Sequence, residues 1–475
     1  MDEVFDLAVI GGGLEGCAIA REAAGQGLRV HLAAVDDLAG DLAGWAAQLV
    51  PAAGDRTGAV ERDILRSTAP HLVRLIPLVT PHAEPPARWP GRLRDAARRL
   101  TGGGGSPAPG RGLDLGADPA GALLARTWGH AIEAGEFWID ATRLAVLAAV
   151  DAHERGAVIE TRTRLVAAEP VGPGWGLTLD RGGLRRDIRA RALVEAGPRG
   201  AGAHHVELVL GRALIPPRGL RLAEEGAAAL ACLPFEAGTT LLTPLAGLAG
   251  HADPGAAGEA LLTAANRFLL QPLRRRDIVM AHAGPAPAAE PAAIRVETPA
   301  PGSPRLRIEA GPALLARARA EEALTRLAPG LGLGAARLGW TRRVPLPGGD
   351  IPAGDIAAHA AELARRHPYL GTATAGRLAR AYGSRAEALL DGALDAEELG
   401  RAFGPGLHYR EISHLVAREF ARTADDILWR RSKLGLALSP SERVALALYL
   451  SDQIPTRGRA GNAGETGRTG TPALS

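Results

Sequence analysis

The first forty residues carry the clearest pattern of apolar and polar positions in the chain. A short apolar run from Leu7 to Ile10 is followed by a group of glycines and then by an alanine-rich segment with helical spacing. A second apolar run, Leu28 to Leu32, follows Gly27. Short apolar runs on either side of a helix are typical of a β-α-β unit. We therefore predict a strand, a tight turn, a helix and a second, parallel strand.

The glycines between the first strand and the helix have the spacing GxGxxG. Gly11 suits a tight turn, Gly13 leaves room for a phosphate to approach the backbone, and Gly16 lets the helix pack closely on the strand. The N-terminus of a helix favours negative charge because its N–H groups are free. We predict that Gly11, Gly12, Gly13 and Gly16 bind the diphosphate of a dinucleotide. A merely tight glycine turn is the alternative.

The end of the second strand departs from the dinucleotide-binding pattern. An acidic residue is expected there to bind the ribose hydroxyls, yet the two positions concerned are Ala33 and Ala34. Asp36 and Asp37 follow directly. Asp36 is our candidate for the ribose contact, and the alternative is that both aspartates simply begin the next loop.

The rest of the chain alternates between sheet-like and helical segments. Helical spacing covers residues 55–78, where Pro70 is expected to open a second helix, and Asp140 or Thr142 is expected to cap a helix that carries Arg143. Further strands are predicted at 157–163, 176–180, 187–194, 275–281 and 305–308, and further helices at 258–270 and 313–328. Residues 102–109 are expected to form a surface loop. After a break at 344–349, residues 355–450 have helical periodicity nearly throughout.

Composition excludes several classes of protein. Within the 475 residues no apolar run approaches the roughly 18 residues of a membrane span, and the acidic start MDEVFD is unlike a signal peptide, so we expect a cytoplasmic protein. Cys17 and Cys232 are far apart, which argues against a disulfide scaffold or a zinc site, and we predict no metal. The net charge of +3 and the low aromatic content argue against nucleic-acid binding.

Several spaced motifs in the last third of the chain carry a resemblance to a known family. They are WTRRVPLPGG at 340–349, RHPYL at 366–370, RAYGS at 380–384 and EFARTADDILWRRSKLG at 419–435. In this order they resemble the helical cap of the FAD-dependent, respiratory glycerol-3-phosphate dehydrogenases. The N-terminal VIGGGLEGCAIAREAAGQGLRV and FWIDATRL at 137–144 fit the same family's order. The resemblance therefore covers nearly the whole chain.

The resemblance implies an α/β fold with a Rossmann-like FAD-binding domain, an inserted sheet-rich substrate domain and a C-terminal all-helical cap. We expect the FAD-binding domain to span residues 1–205 together with 288–335. The substrate domain would span 206–287 and the cap 340–453. The polar segment 454–475 is expected to be a disordered tail.

The resemblance also implies an activity. The family oxidises sn-glycerol 3-phosphate to dihydroxyacetone phosphate, transfers hydride to FAD and passes electrons to quinone. The implied partners are a polyol phosphate, a quinone, the membrane surface and, for the assembly, a second copy of the chain in a homodimer. The implied location is the cytoplasm or the inner face of the cytoplasmic membrane.

Several positions that face flavin or substrate in the family differ here. The family's GGKLTTYR turn corresponds to residues 310–317, where Gly311 and Arg317 are kept but Pro312 replaces the lysine. The family's phosphate-binding arginine corresponds to Ala286, and its acid/base histidine to Arg221. Gly197 falls in the shortened NATGPW turn. We predict Arg317 and Arg221 as catalytic residues, and Gly197 and Gly311 as further cofactor-binding residues.

Two hypotheses of different classes follow from these differences. The first is a flavoenzyme of this family, acting on glycerol 3-phosphate or a related polyol phosphate. The second is a catalytically degenerate relative that keeps the scaffold for binding or regulation, because the ribose-binding acid, the lysine and the phosphate-binding arginine are all missing. An NAD-dependent dehydrogenase is a third, weaker alternative, since it does not account for the cap.

Overall fold

The computed structural model describes most of the chain, in nine segments. These are residues 3–40, 48–50, 56–85, 110–197, 204–224, 229–246, 253–285, 293–333 and 339–453. The predicted surface loop at 102–109, Ala286 and the predicted tail at 454–475 lie outside the described residues.

Nineteen strands are found in the described residues. In chain order they are β1 (Glu3–Ile10), β2 (Val30–Ala33), β3 (Gln48–Val50), β4 (Val73–His82), β5 (Arg111–Asp114), β6 (His130–Ile139), β7 (Val158–Glu160), β8 (Arg164–Pro170), β9 (Trp175–Arg181), β10 (Leu184–Gly197), β11 (His204–Leu210), β12 (Gly219–Leu222), β13 (Ala229–Pro234), β14 (Thr240–Ala246), β15 (Ile278–Pro285), β16 (Arg295–Glu297), β17 (Arg305–Glu309), β18 (Ala402–Gly404) and β19 (Leu407–His408).

The α-helices of the described residues fall into two groups. Those before residue 340 are α1 (Leu14–Gly25), α2 (Arg56–Thr68), α3 (Ala141–Glu154), α4 (Pro254–Asn266) and α5 (Ala316–Leu331). Those after it are α6 (Ile356–Arg366), α7 (Gly371–Tyr382), α8 (Ala386–Leu390), α9 (Tyr409–Arg418) and α10 (Pro440–Gln453), with a π-helix at Asp426–Arg431. Within the described part of the chain, no helix combines the length and apolar character needed to cross a bilayer.

The first sheet confirms the predicted β-α-β unit. Its strand order is β16-β17-β10-β1-β2-β7, with the β8–β9 hairpin joined to β10. β1 pairs in parallel with both β2 and β10, and β10 pairs in parallel with β17. Helices α1, α3 and α5 contribute to one large apolar core with these strands, in which side chains such as Leu7, Ile19 and Leu324 are fully buried. This is the Rossmann-like arrangement expected of the FAD-binding domain.

The second sheet has the order β15-β11-β14-β13-β12-β4-β6-β3, with β5 on β6. It is larger than the inserted domain at 206–287 that we expect from the sequence. Strands β3 to β6, from residues 48–139, pair into it because β4 lies in parallel beside β12 and in antiparallel along the full length of β6. One face is covered by α4, and the other packs against Trp429 and Leu436 of the cap.

The prediction of a second helix from Pro70 is wrong. Residues 70–72 form a single 3₁₀ turn, and the chain then enters strand β4. The reason is pairing with distant segments: β4 lies between β12 and β6 in the second sheet. Val73, Ile76, Val79 and Thr80 are β-branched, which suits that position.

The C-terminal unit is helical with one exception. A short hairpin of β18 and β19 encloses Pro405 and Gly406, which interrupt the helical pattern. Its apolar core includes Leu378, Tyr382, Ile412, Leu415 and Ile427. The helical cap that the resemblance implies is therefore present with its own core.

Candidate functional site

The glycine turn between β1 and α1 has the geometry predicted from its spacing. Gly11 adopts a φ of +128°, and a Cβ atom there would lie 1.8 Å from the carbonyl oxygen of Ala196. A Cβ on Gly16 would lie 2.0 Å from the Gly11 carbonyl oxygen. Gly13 is the N-cap of α1. These contacts explain why no side chain is tolerated at Gly11 or Gly16, and they place the start of α1 at the carboxyl edge of the first sheet.

The N–H groups at this helix start are available to a ligand. Among the described residues, no protein group accepts a hydrogen bond from the backbone nitrogens of Gly12, Gly13 or Leu14, whereas Gly11 N–H donates to Ala33 O at 2.9 Å. Three free donors at the positive end of a helix form an arrangement that suits a phosphate or diphosphate. The turn therefore fits the diphosphate of a dinucleotide such as FAD.

Gly197 and Gly311 lie beside this turn. Ala310 N–H donates to Gly197 O at 3.0 Å, which extends the pairing of β10 and β17. Gly311 N–H donates to Glu15 Oε1 at 2.6 Å, and Glu15 is buried in the first turn of α1. The structure thus brings the two glycines together with the Gly11–Gly16 turn. Glu15 was not predicted as a site residue, and its place inside the GxGxxG motif was the available signal.

The ribose end of the predicted site holds no buried free carboxylate in the described residues. Ala33 and Ala34 are each only 1% exposed. Asp36 is exposed, and its backbone oxygen accepts a hydrogen bond from Arg162 N–H at 2.9 Å. Asp37 is buried and ion-paired with Arg431 of the cap, Nη2 lying 2.8 Å from Oδ1. Asp36 remains the carboxylate of this loop that a ligand can reach.

Arg317 lies among helices and contacts two carboxylates. Its guanidinium donates to Glu61 of α2 at 2.6 and 2.7 Å and to Glu321 of α5 at 2.8 Å. It lines a largely apolar cleft between α1, α2, α3 and α5. Through these contacts the guanidinium links α2 to α5. The catalytic role of Arg317 stays a prediction.

Arg221 lies on the second sheet, apart from Arg317. On β12 it forms an ion pair with Glu136 of β6, a carboxylate not predicted from the sequence. Burial raises the pKa of the Glu136 carboxyl. The positive charge of Arg221 lowers it, and the net result is a rise. A carboxylate of raised pKa beside a cation in a sheet face is a candidate acid/base group. Its position four residues before the α3 cap residue Asp140 gave no sequence signal, because the pairing depends on the distant β12.

Comparison with known proteins gives close relatives over nearly the full length. The chain is 35% identical to a glycerol-3-phosphate dehydrogenase from Pseudomonas aeruginosa, covering 96% of this chain and 97% of that protein. It is 33% identical to the D-erythritol 1-phosphate dehydrogenase of Brucella abortus, covering 95% and 98%. Residues 340–447 match the C-terminal domain of alpha-glycerophosphate oxidase.

Solved structures show the same fold. The glycerol-3-phosphate dehydrogenase from Bacillus halodurans complexed with FAD superposes with a TM-score of 0.72 at 20% identity, covering 95% of this chain and 90% of that one. L-alpha-glycerophosphate oxidase from Mycoplasma pneumoniae with FAD bound superposes with a TM-score of 0.51 at 17% identity, covering 73% and 99%. The predicted α/β architecture with a helical cap is therefore confirmed.

Proposed function

Because the chain belongs to the FAD-dependent glycerol-3-phosphate dehydrogenase family, we propose that it oxidises a secondary hydroxyl of glycerol 3-phosphate or a related polyol phosphate to the ketone. FAD, when bound, accepts the hydride from that carbon. The observation that carries the proposal is the glycine turn with its three free N–H groups. The names of the two relatives support a polyol phosphate as substrate.

The residues that would hold the diphosphate are Gly11, Gly12, Gly13 and Leu14, through their backbone N–H groups or close backbone approach. Gly16 keeps α1 close to β1, and Gly197 and Gly311 border the same edge of the sheet. Asp36 would contact the ribose from an exposed loop, which is a weaker arrangement than a carboxylate at the end of β2. We therefore expect FAD to bind more weakly here than a Rossmann site with that acid would allow.

We assign proton transfer to Glu136 and anion binding to its partner Arg221. Arginine stays protonated at neutral pH and is a poor base, whereas a carboxylate in its ionised form can accept the hydroxyl proton, and the adjacent Arg221 favours that form. Glu136→Gln should lower kcat by about 10²- to 10⁴-fold with a smaller change in KM. Glu133→Gln, which removes a carboxylate from the same strand, is the matched control.

We extend the proposal to quinone as electron acceptor, to work at the inner face of the cytoplasmic membrane, and to a homodimer. The support for these three points is the family resemblance. Reduction of a soluble quinone analogue by the substrate-reduced protein, sedimentation with phospholipid vesicles and light scattering test them separately.

The visible spectrum of the purified full-length protein tests the central proposal. We expect flavin absorbance, with or without added FAD, and bleaching of that absorbance when glycerol 3-phosphate or erythritol 1-phosphate is added without oxygen. A protein that stays colourless after addition of FAD would overturn it.

A degenerate, non-catalytic relative is the second candidate. The observation that favours it is the replacement of family residues by Ala34 and Pro312, together with the ion pairs that engage Arg317 and Arg221. A protein that binds FAD but is not reduced by any polyol phosphate would favour this alternative.

A further inference from the structure

A second polar cleft lies between the start of α3, strands β4 and β6, and the cap. None of the glycine-turn residues is in its lining. Six cationic side chains line it, Arg74, Arg143, Arg377, Arg380, Arg431 and Lys433, against the two carboxylates Asp140 and Glu236. The cleft is therefore strongly positive before its further partners are considered.

Four of the six cations are neutralised by carboxylates. The pairs are Arg143 with Glu419, Arg377 with Glu411, Arg431 with Asp37, and Lys433 with Asp140. Since each of these cations has its own carboxylate, they supply structure and little net charge. The net charge of the cleft therefore depends on Arg74, Arg380 and Glu236.

Arg74 and Arg380 share a single carboxylate. Arg380 Nη2 lies 3.6 Å from Glu236 Oε2. Within the described residues no carboxylate lies at ion-pair distance from Arg74, whose guanidinium carbon instead lies 3.2 Å from the ring centroid of Trp138. Burial lowers the pKa of Arg74 to about 10, as expected for a cation that lacks a partner. The three side chains together carry one uncompensated positive charge.

Two buried ring donors in the same cleft also lack partners. His71 and Trp138 are each only 3% exposed. Neither ring nitrogen of His71, nor the indole nitrogen of Trp138, has a hydrogen-bond partner among the described residues. Burial and the positive charge of Arg143 lower the pKa of His71 to about 3, so its ring is neutral and keeps one N–H donor. Buried donors without acceptors are rare and indicate a missing group.

We propose that this cleft binds a phosphate group, held by the charge of Arg74 and by N–H donors of Trp138 and His71. A tetrahedral oxyanion accepts hydrogen bonds from several directions, which suits one stacked guanidinium and two ring donors. The ligand is inorganic phosphate or a phosphate monoester.

Isothermal titration of the full-length protein with inorganic phosphate, and separately with glycerol 3-phosphate, tests the proposal. Arg74→Met keeps an apolar stem on Trp138 but removes the charge, and it should weaken phosphate binding by about ten- to a hundredfold. Arg276→Met, at an exposed arginine just before β15, should leave the affinity unchanged. The ligand whose affinity falls more in Arg74→Met identifies the source of the phosphate.

Trp138→Phe provides a second variant, because it keeps an aromatic ring and removes only the indole N–H. It should weaken binding by about three- to tenfold. Absence of phosphate binding by the wild-type protein, or wild-type affinity in folded Arg74→Met or Trp138→Phe, would overturn the proposal. The titration needs no turnover, so a failure of the dehydrogenase function, seen in the flavin spectrum, is separable from a failure of this site.

Discussion

Arg143 in the first turn of α3 is held by Glu419 of the cap in a buried, two-point ion pair. Arg143 Nη2 lies 3.0 Å from Glu419 Oε1, and Nη1 contacts Oε2. Each side chain is only 2% exposed. The same Nη2 donates to Ala381 O at 2.7 Å. This pair therefore joins the nucleotide-binding fold to two separate segments of the cap.

Loss of the Glu419 charge should destabilise the protein strongly. Glu419→Gln leaves Arg143 buried without a counter-charge, and we expect the free energy of unfolding to fall by about 3–5 kcal/mol. Glu362→Gln removes a carboxylate from an exposed pair with Arg365 and should have a much smaller effect, because solvent screens that pair. Urea denaturation of both variants measures the difference. Equal losses would contradict a special role for the buried pair.

The same pair predicts how stability depends on pH. Burial by itself would raise the pKa of Glu419, but Arg143 and His414 outweigh it and lower the pKa from 4.5 to about 2. The ionised Glu419 therefore contributes its full stabilisation above pH 4.5, and this stabilisation is lost as the pH falls towards 2. The contribution is of order 3 kcal/mol. Unfolding free energies measured from pH 6 to pH 2.5 should fall less steeply in Glu419→Gln, and identical slopes would refute this explanation.

The glycine turn should not tolerate a methyl group. In Gly11→Ala the new Cβ would meet the Ala196 carbonyl and the residue would have to keep a positive φ, so the turn must open. We expect loss of bound FAD in the visible spectrum, or at least a tenfold higher Kd. Gly129→Ala is the control, because a Cβ at Gly129 meets nothing within 4 Å. Unchanged FAD binding in a folded Gly11→Ala protein would argue against this turn as the diphosphate site.

A carboxylate introduced at the end of β2 should strengthen cofactor binding. In Ala34→Glu the new side chain can accept hydrogen bonds from both ribose hydroxyls, and we expect the Kd for FAD to fall by about tenfold. Ala34→Gln has nearly the same size without the charge and should give a smaller gain. Fluorescence titration with FAD measures both. Weaker binding in a stable Ala34→Glu protein would mean that the ribose lies elsewhere.

A substitution at Arg317 can distinguish a structural role of this residue from a catalytic one. Since its guanidinium holds Glu61 and Glu321, we expect Arg317→Gln to lower the free energy of unfolding by about 1–3 kcal/mol. The KM for polyol phosphate should stay within about twofold of the wild-type value. Steady-state kinetics beside urea denaturation separates the two roles. A large loss of kcat at unchanged stability would instead support the catalytic role implied by the resemblance.

Local features of the fold could be predicted from the sequence. Asp140 caps α3 through a hydrogen bond from Arg143 N–H to its side chain at 3.1 Å, and all the residues concerned lie within one turn. The β1–α1 turn follows from its glycines for the same reason. Residues 73–82 were beyond such reasoning, because their conformation depends on pairing with β6 and β12. A proline followed by an apolar run is compatible with a helix or a strand until its neighbours are known.

The candidate site divides in the same way. The positions of Gly11, Gly13 and Gly16 could be predicted, since a motif of six residues determines them. The partners of Arg221 and Arg317 could not, because Glu136 and Glu61 lie 85 and 256 residues away in the chain. Sequence spacing does not indicate which of many carboxylates an arginine will meet after folding.

The loop that follows β2 is held by contacts of very different origin. Ala39 N–H donates to Gly12 O at 2.8 Å, and Asp37 is bound by Arg431, which lies 394 positions later in the chain. Almost the entire polypeptide must therefore be synthesised before Arg431 can contact this loop. Nucleotide loading during synthesis should accordingly be a late event, completed only when the last helices have emerged and docked.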